Sequence, residues 1–247
     1  MASVQAVTAM PVSESSHSAR FLEKYFYQGM SLLIAAVVIY GFSQTIDRKL
    51  VHATPRPPIL LWVHAYVFSG WVAFFILQSA LVRIRKVKIH RTLGWVGAAL
   101  AATMVVLGFW VAPVMARFDT IQLHRPNREA FLIVPLLDIF EFAIFAGLAI
   151  LWRKKPERHR RLMLIGSCIL TGAAFGRMPL THSALGFYGG IDGLIVLGVL
   201  RDLWVNRHVH NVYLISLPSL IVIQVIAAEI FLHRATFWVR FAHSLIS

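Results

Sequence analysis

Residues 58–110 constrain this chain more than any other stretch. An apolar run carrying His64 ends in the basic turn Arg83-Ile84-Arg85-Lys86-Val87-Lys88, and His90-Arg91-Thr92-Leu93-Gly94 then opens a second apolar run. Each run has roughly the twenty residues that cross ~30 Å of hydrocarbon at ~1.5 Å per residue. A water-soluble fold of this size has too little interior to hide several such blocks. Composition agrees, with hydrophobic residues at 58%, charged residues at 14% and a mean hydropathy of +0.69. The chain reads as an all-α, polytopic transmembrane helical bundle.

Seven apolar segments are expected, at about 25–45, 59–81, 93–115, 130–152, 161–180, 190–205 and 212–232. The fifth and sixth are the weakest, and Gly189-Gly190 breaks the chain just before the sixth. Residues 1–24 are polar, lack the charged start and apolar core of a secretory signal, and read as a disordered cytoplasmic tail. Residues 25–247 read as a single transmembrane domain. Orientation follows from the basic turns: with the amino terminus in the cytoplasm, more than half of the 24 Lys and Arg fall inside. The carboxyl terminus is then outside, and Trp62, Trp95, Trp110, Trp152 and Trp204 lie near segment ends as interfacial anchors. The same bias accounts for the net charge of +13. Anionic headgroups of the lipid bilayer, and no nucleic acid, are the expected partners of those charges. The single cysteine, Cys168, excludes an intrachain disulfide and argues against a cysteine metal site.

An internal repeat is visible. Residues 89–97 align without gaps on residues 158–166, with His, Arg, Leu and Gly coinciding. The repeating units are helical hairpins at about 58–115 and 129–180, entering the membrane in the same sense as in parallel-repeat transporters. His208 and His210 imitate the inner turn loosely in a last hairpin.

Several short motifs occur in a distinctive order. Gly41-Phe42-Ser43-Gln44-Thr45 ends the first segment, a histidine lies in the second, and His-Arg-x-Leu-Gly follows at residues 90–94. Pro135-Leu136-Leu137-Asp138 lies in the fourth, and His159-Arg160-Arg161-Leu162-Met163 opens the fifth. From about residue 25 onward this pattern resembles a widespread family of uncharacterised bacterial seven-helix integral membrane proteins. The resemblance implies a bacterial cytoplasmic (inner) membrane and the same topology, and it carries no established activity.

Ionisable side chains within membrane helices are costly and mark function by default. His64, Phe68, Trp71, Phe75 and Gln78 share one helical face of the second segment, a polar-tipped aromatic seam suited to a ligand slot or to plain helix packing. Asp138 and Glu141, three residues apart, lie on one face of the fourth. They pair structurally, with His64 and Arg177 as partners, or they form a proton, metal or ligand site. Asp192 either caps a helix after Gly190 or joins them. His90 and His159 occupy matching places in the repeat. They could clamp a b-type haem iron between two helices, or serve as interfacial basic residues beside Arg91 and Arg160, the reading favoured here. His52, His124 and His182 could join His64 around a metal, although no His-x-x-x-His spacing supports it. The run Gly172-Ala173-Ala174-Phe175-Gly176 predicts close helix contact rather than chemistry.

These residues favour binding of a small ligand or redox cofactor, b-type haem or quinone, in an outer-half intramembrane polar pocket centred on His64. The alternatives are a proton-coupled transporter using Asp138 and Glu141, and a membrane-embedded metal-dependent hydrolase using His64, Asp138 and an outer histidine.

Overall fold

The computed structural model describes residues 12–179 and 184–247, which contain helices and no strand. In chain order these are α1 (Val12–Ser43), a π-helical turn (Asp47–Val51), α2 (Ile59–Arg83), α3 (Val87–Ile121), α4 (Arg128–Phe131), α5 (Ile133–Leu151), α6 (Pro156–Ile169), α7 (Gly172–Phe175), α8 (Ala184–Asn206), α9 (Asn211–Leu232) and α10 (Thr236–Ile246). Among the described residues, five stretches are long and apolar enough to cross a membrane: Ala19–Ser43, Ile59–Arg83, Val87–Ile121, Arg128–Leu151 and Asn211–Leu232. Large apolar side chains also face outward, with Ile59 at 78%, Tyr66 at 73% and Ile39 at 70% exposure. Such a surface is at rest against lipid and not against water. This is an integral, multi-pass membrane protein.

α1 begins at Val12, within residues 1–24, and residues 1–11 lie outside the described residues. One expectation needs correction. The fifth segment, expected as one span over 161–180, is instead broken into α6 and α7, each too short to cross. The break follows from local chemistry. The Thr171 hydroxyl donates to the Cys168 carbonyl at 2.5 Å, which competes with the helical ladder. Gly172 and Gly176 then sit where Phe187 of α8 presses close, so that a Cβ on Gly172 would stand 2.8 Å from the Phe187 ring. The small-residue run thus serves close packing, as expected.

Tight reversals set the antiparallel order. At the end of α2, Arg85 adopts a left-handed φ of 62°, the Lys86 amide bonds back to the Leu81 carbonyl at 2.8 Å, and the Arg85 amide to Val82 at 3.0 Å. This is a Schellman closure, and it turns the chain directly into α3. Arg234 does the same after α9, where the Ala235 amide reaches the Ile230 carbonyl at 3.1 Å. That reversal lays α10 across α3 and α4, anchored by the Trp238 indole donating to the Glu129 carbonyl at 3.1 Å.

α5 is the central element. Phe145 and Ala149 join one apolar cluster with α1, α6, α8 and α9, whereas Ile133 and Val134 join a second with α10. Ile139, Phe142 and Ala146 join a third with α2 and α3. Between helices in lipid there is no water to expel, so close approach and polar contacts carry association. Gly41 of α1 shows this, lying against the Ala174 backbone with room for no side chain. The basic turns gather at one end of the bundle, where Arg83 lies over Tyr25 at 3.9 Å and Arg153 over Trp95 at 5.1 Å. The π-turn, α4 and α10 lie at the other end.

Candidate functional site

The α5 helix carries Asp138 and Glu141 on the side that meets α8 and α9. Glu141 is 4% exposed, and its Oε1 is buried with no hydrogen-bond partner. Asp138 lies within electrostatic reach of Glu141, and Glu141 within reach of Asp192 on α8. Tyr188 of α8 senses both α5 carboxyl groups. Asp192 accepts a hydrogen bond from Gln224 Nε2 of α9 at 3.1 Å, and Gln224 is itself buried. Three helices therefore bring together three carboxyl groups, an amide and a phenol. Among the described residues no Lys, Arg or His forms a salt bridge with Asp138, Glu141 or Asp192. An ionised carboxylate left alone in such a place is expensive, so a proton or a bound donor must compensate it.

His64 and Arg177, expected as partners of those acids, form a separate group. His64 stacks on Phe68 with centroids 3.9 Å apart, and its buried Nδ1 has no partner. The charge of Arg177 reaches His64. The Arg177 guanidinium lies over the Phe42 ring at 4.3 Å and donates to the Ala173 carbonyl, leaving Nε unpartnered. Lys49 stands near this group in the π-turn. Burial first, then the charges of Arg177 and Arg125, hold its ammonium below the usual lysine value. Arg125 and Arg128 share Asp119, each at 3.5 Å. These polar residues thus divide into an acidic group on α5, α8 and α9 and a basic group nearer α1, α2 and α7.

Other expected site residues sit elsewhere. The Trp71 indole donates to Ser167 Oγ at 3.3 Å and packs edge-on against Phe142 at 5.1 Å, a core position linking α2 to α5 and α6. Gln78 is 9% exposed with both side-chain polar atoms unpartnered. His90 and His159 do meet, ring against ring in an edge-on contact at 6.2 Å, and His159 Nδ1 is paired with the Ala149 carbonyl at 2.9 Å. His52 pairs locally with Asp47 at 2.6 Å, whereas His182 lies outside the described residues. No group of three His, Cys, Asp or Glu capable of holding a metal occurs among the described residues.

A second polar centre escaped the sequence reading. At the basic end Arg161 of α6 donates to Asp202 of α8 through Nε at 2.8 Å and Nη2 at 2.6 Å, with side chains 1% and 0% exposed. Arg201, Asn206 and the His210 amide also donate to Asp202. Glu157 accepts from Arg161 at 2.7 Å and from Arg160 at 2.5 Å. Burial alone would raise the Glu157 carboxyl, but these guanidinium contacts outweigh it and hold the group below its ordinary value. The signal available beforehand was an Arg-Asp pair, Arg201-Asp202, inside an otherwise apolar run.

No protein family, curated protein or solved structure matches this chain.

Proposed function

We propose that this multi-pass membrane protein is a proton-coupled carrier whose proton-binding group is the carboxyl cluster of Asp138, Glu141 and Asp192. The observation that carries the reading is the buried, unpartnered Oε1 of Glu141 beside two further carboxyl groups. Haem, quinone and zinc readings centred on His64 lose support because the charge that reaches His64 is that of Arg177 and not that of the acids. Membrane carriers use carboxyl groups in this way, taking and releasing protons where hydrocarbon penalises a bare charge.

The reading also takes the chain as a parallel repeat of two hairpins within a seven-segment plan, of the kind its motifs resemble. Its support is that the matching histidines, His90 and His159, meet at one end of the bundle. The α2–α3 and α5–α6 hairpins are also the most closely packed neighbours. Infrared difference spectroscopy of the purified protein tests the proton site. A protonated carboxyl band that responds to pH is expected, diminished in Glu141→Gln and in Asp138→Asn. In proteoliposomes the same variants should slow the collapse of an imposed pH gradient. Folded variants with wild-type bands and wild-type proton flux would end the proposal.

A further inference from the structure

The basic end of the bundle holds more positive charge than its own acids satisfy. Arg160, Arg161 and Arg201 converge there, and Asp202 and Glu157 are the only carboxylates bonded to them among the described residues. One guanidinium charge is left over. The geometry identifies it as that of Arg201. This side chain is 3% exposed, its Nη1 donates to Asp202 at 3.1 Å, and its Nε and Nη2 are buried with no partner. Arg160 Nε is likewise buried and unpartnered. Both guanidinium groups lie over one ring, Tyr27 of α1, at 5.2 Å and 5.8 Å, and the Tyr27 hydroxyl is buried with no partner either. Four donor atoms from three side chains therefore stand in one place with nothing to receive them. Unmatched donors of that kind are rare in a finished structure unless something else supplies the acceptor.

The space beside them has a second character. A groove of about 220 Å³ lies between α1 and α8, lined by Leu22, Phe26, Leu197, Leu200, Trp204 and Arg201. Its walls are apolar except for that arginine. Leu200 and Trp204 are 53% and 56% exposed, so the groove opens on the lipid-facing side of the bundle. A molecule that suits both parts has a singly charged anionic head with several acceptor oxygens and an apolar chain attached.

We infer that this groove is a binding site for an anionic phospholipid, its phosphodiester held by Arg201, Arg160 and the Tyr27 hydroxyl and its acyl chain lying along Leu22, Phe26, Leu197, Leu200 and Trp204. Guanidinium groups bind phosphate oxygens through paired N–H donors, and a basic pocket between membrane helices is the expected form of such a site. The assignment does not depend on the carboxyl cluster, which lies between α5, α8 and α9 away from the basic end.

Native mass spectrometry and thermal melting in neutral detergent test it, using phosphatidylglycerol, phosphatidylcholine with the same chains, and inorganic phosphate as probes. Phosphatidylglycerol should be retained by the wild type and raise its melting temperature, with the other two giving no more than a small shift. Arg201→Gln should weaken retention about fivefold, the scale of one arginine–headgroup contact. Because that change also disturbs Asp202, Tyr27→Phe provides the second variant, since it keeps the ring and removes only the hydroxyl. Arg91→Gln, an exposed basic residue of the same end, should bind as the wild type does. Equal retention of both lipids, or unchanged binding by Arg201→Gln and Tyr27→Phe together, would overturn the site. A full shift with inorganic phosphate alone would reassign it to a free anion.

Discussion

Arg161 and Asp202, 41 residues apart in the chain, are joined by two hydrogen bonds of 2.8 Å and 2.6 Å at a point where neither side chain meets solvent. The pair fixes α6 against α8 at the basic end. Removing one member leaves the other charge buried without compensation, which typically costs about 3–5 kcal/mol, whereas replacing both by apolar groups is often nearly neutral. Asp202→Ala should therefore lower the unfolding free energy in detergent by that amount, and Arg161→Met should cost less, because Arg201 still pairs with Asp202 at 3.1 Å. Titration with a denaturing detergent measures both.

Glu157 gives the same region a pH dependence. Its folded carboxyl is held below the ordinary value by Arg161 and Arg160 against the opposing effect of burial. A depressed carboxyl stabilises the fold fully above the unfolded value, near 4.5, and that contribution fades as pH falls through the folded value. Melting temperature should drop between neutral pH and the region below 4.5, and Glu157→Gln should show a smaller drop. Equal pH profiles for the two proteins would count against this account.

The helix spans were largely legible because length and apolarity are properties of contiguous sequence. The second segment, expected at 59–81, is α2 at Ile59–Arg83, and the last, expected at 212–232, is α9 at Asn211–Leu232. What escaped depends on partners brought from elsewhere. Arg161 and Asp202 lie in different helices, and nothing near either residue announces the other. That Gly172 packs against Phe187 of α8 depends on how the helices assemble. α10 is only 11 residues long, too short to register as a span, yet Trp238, Ala242 and Ile246 are buried. His64, Asp138 and Arg177 were each visible as costly residues, but their division into two groups is a matter of which faces meet.

Gly41 tests the claim that backbone contact holds the bundle. A Cβ there would stand 2.7 Å from the Ala174 Cα, an encounter with main chain that no rotamer can relieve. Gly41→Ala should destabilise by about 1–3 kcal/mol through overpacking. Gly94 and Gly147 have no heavy atom within 4 Å of the same position, so Ala at either should be neutral or stabilising by up to about 1 kcal/mol. Melting temperatures of the three variants should separate in that order.

Trp71 separates packing from chemistry. Its indole bond to Ser167 is worth about 0.5–1.5 kcal/mol. Trp71→Phe and Ser167→Ala should each lose stability on that scale, and the double variant should lose less than their sum. Proton flux in proteoliposomes should stay within twofold of the wild type for every folded member of the cycle, on the order of the small effects expected away from a site.

Glu141 stands near the middle of the Arg128–Leu151 span. A proton that reaches it from either side of the bilayer has traversed roughly half of the transmembrane field. At 100 mV that is about 1 kcal/mol per charge, from the ~2.3 kcal/mol of a full crossing. On the proposed proton-carrier reading, occupancy of the carboxyl cluster is tied to voltage as well as to pH. A cell that energises its membrane would then load or empty this site without any change in the composition of the medium.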